Sequence, residues 1–235
     1  MKNKSIFLPS ILLPFRSAIF ILSGLLLTII LKSSLNDLSR WWTVIVLFCN
    51  AATILLLLLV CRQKGISYGK FVNYEKGKTK FGDIFIVTFV MLVVGMGGMQ
   101  FAGLLVYSEI PHFPIAMMQP LPMWIAIANI LVLPLTTALA EDGLYLGVLN
   151  QTDSKFVLIS SAFFYALQHS FIPLLPDPRF IAYRFLSFLP LTVIMCVWYS
   201  KSKNPLPFMV GHFIINLATV VQIVLVSASP GIFDF

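Results

Sequence analysis

Charged side chains are scarce in this chain. Lys, Arg, Asp and Glu together make up 11% of its 235 residues, whereas about 25% is usual in soluble domains. Apolar residues make up 59%, and the mean hydropathy is +0.94. These values exclude an ordinary soluble domain, and the apolar residues fall in long runs along the whole chain. We therefore predict a single integral membrane domain over residues 1–235.

Cysteine pairs and common catalytic motifs are also missing. The three cysteines form no CxxC pair, so neither a disulfide framework nor a thiolate zinc site is supported. The chain has no HExxH motif, P-loop or kinase motif set. Gly65–Gly69 matches GxSxG, but it lies in a basic loop without the strand-to-helix turn that exposes such a serine. No basic, aromatic-rich soluble segment is present either, so we expect no nucleic-acid partner.

The long apolar runs predict an all-α, polytopic membrane helical bundle. A spanning helix needs roughly 20 mostly apolar residues. The candidate spans are residues 17–31, 41–61, 84–107, 122–150, 156–171, 181–200 and 206–227. The first is short unless it begins near Ile11, where we expect a retained helix rather than a signal peptide. The fourth, at roughly 43 Å, projects beyond a ~30 Å hydrocarbon core. We predict seven spans, with eight as the alternative.

Basic residues collect on one side of the predicted bundle. With a cytoplasmic N-terminus, eleven of the sixteen Lys and Arg residues lie in inside segments. They are Lys2, Lys4, Arg62, Lys64, Lys70, Lys76, Lys78, Lys80, Lys155, Lys201 and Lys203. Arg16 and Arg184 lie within apolar runs, where Arg184 can snorkel or pair with Asp177. The asymmetry predicts a multi-pass protein of the cell membrane, with its N-terminus inside and its basic loops on anionic lipid.

Three predicted helices carry side chains that do not belong in lipid. An Asp at the centre of a spanning helix costs about 2.5–3.5 kcal/mol on insertion scales, so each such residue needs a reason. Glu141 and Asp142 lie in the fourth span, His169 in the fifth, and His212 in the seventh. Residues four apart share a helix face. The pairs of this kind are Glu141 with Tyr145, Tyr165 with His169, and His212 with Asn216.

Helix geometry places these polar side chains at comparable depth. From a rise of 1.5 Å per residue, Glu141 lies roughly 14 Å, His212 roughly 10 Å and His169 roughly 20 Å from the inner ends of their helices. We expect them to meet in the inner half of the bilayer. Alone, each has a structural explanation, such as a packed histidine or an acidic pair that reaches the interface. Together they supply a base, a proton partner and oxyanion donors, which are needed to attack a carbonyl with water.

The same residues resemble a known family. Glu141-Asp142-xxx-Leu146, Tyr165-xxx-His169 and His212-xxx-Asn216 are similar to the EExxxR, FxxxH and HxxxN motifs of the CAAX protease and bacteriocin-processing (CPBP, Abi) family of intramembrane endopeptidases. The resemblance covers residues 122–227, which form the predicted catalytic core. It implies that Glu141 with His169 activates a water, while His212 and Asn216 hold the oxyanion. The supporting residues are Asp142, Tyr145 and Tyr165.

Two positions depart from the family pattern. Asp142 stands in place of the second Glu, and Leu146 stands in place of the Arg, so Asp142 lacks the cation expected one helical turn away. The level of activity is therefore open. The resemblance implies a metal-free mechanism without a cofactor, and zinc held by Glu141, His169 and His212 is the alternative.

Three functions remain open at the level of sequence. The first is an intramembrane endopeptidase that cuts a prenylated, CAAX-like peptide or a leader or bacteriocin-type peptide, with membrane lipids and a lipidated or hydrophobic peptide as partners. The second is a catalytically silent membrane scaffold or bacteriocin self-immunity protein. The third is a small proton-coupled transporter with a Glu and His relay, although the sequence shows no internal repeat. We rank them in this order.

Overall fold

The described part of the computed structural model covers residues 11–229 and contains helices and no strand. Lys2 and Lys4, predicted to lie inside, fall outside these residues. The α-helices are α1 (Phe15–Leu31), α2 (Leu35–Ser39), α3 (Trp42–Gln63), α4 (Tyr68–Phe71), α5 (Phe81–Tyr107), α6 (Met123–Thr137), α7 (Gly143–Asn150), α8 (Lys155–His169), α9 (Pro178–Ser202) and α10 (Leu206–Ala228). A 3-10 turn (Ile115–Met117) precedes α6, and a π-helical turn (Ala138–Asp142) joins α6 to α7.

All of the predicted spans form helices, with ends within three residues of the predicted ones. Five helices in the described residues are long and apolar enough to cross a membrane: α3, α5, Met123–Asn150, α9 and α10. The polytopic bundle is therefore confirmed. The helices at the other two predicted spans are shorter: α1 has 17 residues and α8 has 15. A helix of 15 residues is only about 22 Å long. The prediction of seven spans therefore includes two helices shorter than a hydrocarbon core.

The helix α1 begins at Phe15, two residues before its predicted start. Residues 11–12 are helical, and a turn at residues 13–14 separates them from α1. Proline cannot donate to a helical carbonyl, so Pro14 can interrupt a helix but can also begin one. The carbonyl of Pro14 accepts from the N–H of Ala18, which starts α1. Arg16 consequently lies in the first turn of α1.

The helix α7 lies at the centre of the bundle. All of its residues from Gly143 to Leu149 are buried, as expected for a helix surrounded by others. Around it, α9 packs against α5 and α8, α10 packs against α5 and α6, and α1 packs against α3 and α8. Gly98 permits the close approach of α5 and α9, because a Cβ there would overlap the carbonyl oxygen of Ser187. Gly98 therefore lies in the contact between these two helices.

The basic segment after α3 is more than a connecting loop. Its helix α4 packs against α7, and Phe71 at the end of α4 is completely buried. Two glycines of α7 permit this contact. A Cβ at Gly147 would overlap the Phe71 ring, and a Cβ at Gly143 would overlap the Tyr68 hydroxyl. The sequence predicted that the basic loops lie on anionic lipid, and the structure shows that this one also covers the helix that follows the acidic pair.

Candidate active site

Glu141 and Asp142 both lie in the π turn between α6 and α7. Such turns insert an extra residue into a helix and are frequent at functional sites. Pro134 lies in the helical turn before it and lacks the N–H of a regular helix. The Tyr68 hydroxyl donates to the carbonyl of Leu139 at 2.6 Å. The turn directs both carboxylates inward, so that Glu141 is 2% exposed and Asp142 is 1% exposed.

The Glu141 carboxylate is the point where the three predicted motifs meet. Its Oε1 accepts from Arg16 Nη2 at 2.8 Å, and its Oε2 accepts from Gln168 Nε2 at 3.0 Å. Oε2 also lies 3.7 Å from Nε2 of His169 and 3.8 Å from Nε2 of His212. Both separations exceed a direct hydrogen bond. The predicted convergence of Glu141 with the two histidines is therefore present in the structure.

His169 has one ring nitrogen committed to the backbone. Its Nδ1 lies 2.8 Å from the carbonyl oxygen of Tyr165, and a carbonyl only accepts, so Nδ1 carries a proton. In the neutral ring this leaves Nε2 as an acceptor that faces Glu141. The ring stacks on Phe188 with centroids 3.7 Å apart. Packing and one hydrogen bond therefore fix its orientation.

Arg184 helps to hold the end of α8. Its side chain is buried, its Nε donates to the carbonyl of His169 at 3.3 Å, and its guanidinium lies 4.8 Å from the Phe188 ring centroid. The expectation that Arg184 snorkels to the interface or pairs with Asp177 was wrong. The planar guanidinium can stack on an aromatic ring, which favours this interior position.

His212 is oriented by Asp142 and Tyr165. Its Nδ1 lies 3.3 Å from Asp142 Oδ2 and 3.2 Å from the Tyr165 hydroxyl. That hydroxyl donates to Asp142 Oδ1. A carboxylate bound to one ring nitrogen fixes which way the other nitrogen points, as in other histidine sites. Asp142 thus has two partners, although Leu146 is fully buried in the hydrophobic core and offers it none.

The other two predicted residues lie at the edge of this cluster. Asn216 is partly buried, and its Nδ2 donates to the carbonyl of His212 at 3.1 Å. Tyr145 stacks on Tyr165 with centroids 4.4 Å apart, and its hydroxyl donates to the carbonyl of Phe164 at 3.1 Å. Tyr145 therefore supports the Tyr165 ring. Its hydroxyl bonds to α8 backbone and makes no hydrogen bond to Glu141, whose helix face it was predicted to share.

Sequence reasoning missed Arg16, which belongs to this cluster. Arg16 is 0% exposed and donates to four side chains on three other parts of the bundle. These are Asn50 and Thr53 of α3, Glu141 of the π turn and Gln168 of α8. The sequence did contain a signal for Arg16, because an Arg within an apolar run is as costly in lipid as the buried acidic pair that singled out Glu141.

Zinc can be tested against the donor set. Among residues 11–229, no group of three or more His, Cys, Asp and Glu side chains has a metal-binding arrangement. Zinc binds carboxylate oxygens and imidazole nitrogens at about 2.0–2.2 Å, whereas each Glu141 oxygen already accepts a hydrogen bond, one from Arg16 and the other from Gln168. The Arg16 guanidinium also repels a dication at this carboxylate. As arranged, these residues fit zinc poorly.

Comparison with known proteins gives a family match over the segment that holds the motif residues. Residues 119–218 match the family model described as Type II CAAX prenyl endopeptidase Rce1-like. The matched segment contains Glu141, His169, His212 and Asn216, whereas Arg16 lies outside it. No curated protein and no solved structure matched the chain. The resemblance to the CAAX protease family is thus confirmed over residues 119–218, which are similar to the Rce1-like, type II CAAX prenyl endopeptidases.

Proposed function

We propose that this protein is an intramembrane endopeptidase in which Glu141 activates water. One observation carries the proposal: Oε2 of a buried glutamate faces the Nε2 atoms of His169 and His212 at 3.7 and 3.8 Å. These separations suit a water molecule between the groups. A buried carboxylate beside two imidazoles within a membrane bundle is also expensive, which favours a functional reason for it.

The geometry suggests how that water is activated. Oε2 of Glu141 and the unprotonated Nε2 of His169 both accept hydrogen bonds, so a water that donates to both directs an oxygen lone pair at the substrate. Glu141 then takes a proton as the C–O bond forms, and the proton passes to the leaving amine as the C–N bond breaks. We propose no metal and no cofactor for this step.

His212 and Asn216 are the proposed oxyanion donors. Asp142 and Tyr165 hold Nδ1 of His212 and so direct its Nε2 toward the reacting carbonyl. An imidazolium at this position donates from both nitrogens. Asn216 uses one amide hydrogen on the carbonyl of His212, and its second hydrogen is available to the substrate. One such donor contributes about 2.7–4 kcal/mol to catalysis.

An apolar groove beside the site supports a hydrophobic substrate. It has a volume of about 350 Å³ and opens between α4, the end of α6 and α10. Leu139, two residues before Glu141, and Phe213, directly after His212, both line it. The groove is lined mainly by apolar side chains, which suits an acyl, prenyl or aliphatic chain rather than a polar peptide. We propose a membrane-associated peptide that carries such a chain as substrate.

The proposed orientation has the N-terminus in the cytoplasm of a cell-membrane protein. The segments predicted to lie inside come together at one end of the bundle. Lys64 donates to Gln151, Lys78 donates to the carbonyl of Lys203, and Nζ of Lys203 lies 3.5 Å from Asp153. This common basic end supports the positive-inside prediction. Because α4 borders the groove and follows Lys64 in the chain, we propose that the groove lies nearer the cytoplasmic side.

The purified protein in lipid vesicles tests this function. Matched fluorogenic peptides, one farnesylated and one unmodified, measure cleavage by the wild type and by Glu141→Gln. We expect cleavage of the lipidated peptide by the wild type and loss of cleavage in the variant. Glu109→Gln is the control, because Glu109 also faces a histidine, with His112 Nδ1 at 3.0 Å, but it follows the last residue of α5, Tyr107, and does not belong to the Glu141 cluster. Equal cleavage by Glu141→Gln would contradict the proposal, and an inactive wild type would favour the silent scaffold.

A further inference from the structure

We propose that Arg16 is a positioning residue for Glu141 and supplies, from α1, the cation that is missing at position 146. The inference rests on the proposed peptidase function and adds a part of the chain that the family match does not include. Residues 119–218 carry the motif residues, whereas Arg16 belongs to the first helix. The active site is then completed by the N-terminal helices.

The burial of Arg16 shows that the bundle is built to hold this charge. A buried guanidinium is costly unless every donor is paired. Each of its three nitrogens donates to a side chain. Nε donates to Gln168, Nη1 to Thr53 at 3.0 Å, and Nη2 to Asn50 at 3.0 Å and to Glu141 at 2.8 Å. The partners come from α3, the π turn and α8, so the guanidinium plane cannot rotate without breaking several bonds.

Arg16 fixes both oxygens of the Glu141 carboxylate. It binds Oε1 directly, and it binds Oε2 through Gln168, whose Oε1 accepts from Arg16 while its Nε2 donates to Glu141 at 3.0 Å. Arg16, Gln168 and Glu141 thus form a closed ring of hydrogen bonds, the Glu141 ring, which fixes the plane of the carboxylate. The remaining acceptor position of Oε2 is thereby directed at the two histidines, where the proposed water binds.

The structure also explains how the chain can function with Leu146. The acidic pair places two carboxylates in one buried turn, and the fully buried Leu146 offers neither of them a cation. Among the described residues, Arg16 is the one Lys or Arg within ion-pair distance of either carboxylate. Arg184 is buried as well, but its Nε donates to a backbone carbonyl. The cation therefore comes from another helix and pairs with the first acidic residue.

A panel of variants in the peptide assay separates positioning from folding. Arg16→Met removes the charge, Arg16→Lys keeps it with a different geometry, and Asn129→Leu is the control. Asn129 is buried and donates to Thr43 at 3.0 Å, so its loss also removes an interhelical hydrogen bond between α6 and α3 but leaves the Glu141 ring intact. Thermal unfolding in detergent, kcat and KM are measured for each variant.

We expect Arg16→Met to lower kcat about 100-fold, the size of effect that a misplaced catalytic group produces, with KM nearly unchanged. Arg16→Lys should recover part of kcat, since an ammonium can reach Glu141 but cannot make the same set of bonds. Asn129→Leu should keep the wild-type kcat even where its unfolding temperature falls. A similar fall in kcat for Asn129→Leu and Arg16→Met, without recovery by Arg16→Lys, would assign Arg16 a purely structural role and overturn the inference.

Two further results keep the test decisive. Full kcat in Arg16→Met beside an inactive Glu141→Gln overturns the inference and leaves the peptidase function standing. Activity in Glu141→Gln overturns the function and the inference together.

If Arg16→Met does not fold, the variants Gln168→Met and Thr53→Val replace it. We expect a larger fall in kcat for Gln168→Met, because Gln168 contacts Glu141 and Thr53 does not. A wild-type kcat in both variants overturns the inference.

Discussion

The N-terminal helices and the C-terminal motif segment contribute to the same site in different ways. The motif segment supplies Glu141, His169 and His212, whose ring and carboxylate atoms face one another. The N-terminal helices supply Arg16 together with Asn50 and Thr53, which surround the far side of the same carboxylate. The residues of the motif segment have the spacing of a recognisable motif, whereas those of the N-terminal helices follow no such spacing. A motif thus marks the reacting atoms, while the residues that hold them can lie anywhere that the fold brings close.

The largest expected effect lies in the motif segment. His169→Ala removes the ring nitrogen that we assign to the proposed water, and loss of a general acid–base group costs about 100- to 10,000-fold in kcat. His112→Ala is the matched control, because that histidine pairs with Glu109 in the segment that follows α5. Steady-state cleavage of the lipidated peptide measures both. Retention of full kcat in His169→Ala would remove this histidine from the mechanism.

A smaller effect is expected where the motif residues support one another. Tyr165→Phe removes the hydroxyl that donates to Asp142 and leaves the stack on Tyr145 in place. A hydrogen bond to a charged group contributes about 1.5–3 kcal/mol to stability, and because this bond helps to orient His212 through Asp142, we expect kcat to fall by about 10-fold. In Tyr145→Phe only a bond to the Phe164 carbonyl is lost, and kcat should change less. Equal losses in the two variants would mean that the Asp142 contact has no special role.

The contact between the two regions can be tested through stability. Gly147→Ala places a Cβ against the Phe71 ring, which joins the motif segment to α4. Overpacking of this kind costs about 1–3 kcal/mol, so the unfolding temperature in detergent should fall. Gly97→Ala is the control, because, apart from its chain neighbours and the backbone of its own helix, no described atom lies within 4 Å of the added Cβ. Equal unfolding temperatures for the two variants would contradict the close packing of α4 on α7.

The smallest expected effect is that of metal removal. Dialysis against a chelator should leave kcat unchanged, because the proposed mechanism uses Glu141 and two histidines without zinc. Metal content and activity are measured on the same sample before and after dialysis. Loss of activity that returns on addition of zinc, but not of magnesium, would favour the alternative in which Glu141, His169 and His212 bind the metal.

Most of the fold could be predicted from the sequence, because long apolar runs and helical periodicity determine where membrane helices form. The same reasoning brought Glu141, His169 and His212 together, since their depth follows from the rise of a helix. The number of spans was harder to predict. The helix α8 has only 15 residues and ends at His169, and a turn at residues 13–14 precedes α1, so length alone does not decide whether these two helices cross the membrane.

The surroundings of Glu141 could not be predicted in the same way. The π turn depends on backbone hydrogen bonding around Pro134 and Tyr68, which leaves no periodic pattern in the sequence. The partner of Arg16 depends on how α1 packs against α3 and α8, and such packing is a property of the assembled bundle. The cost of a buried Arg in lipid could have indicated that Arg16 has a partner, but it could not have named Glu141.

Peptide mapping in cells tests the central claim most directly. Membrane peptides from cells that produce the wild type, Glu141→Gln or Arg16→Met at equal levels are compared by mass spectrometry for new chain termini. We expect termini that appear with the wild type, disappear with Glu141→Gln and fall strongly with Arg16→Met. The same termini at the same abundance in Glu141→Gln would contradict catalysis by this site.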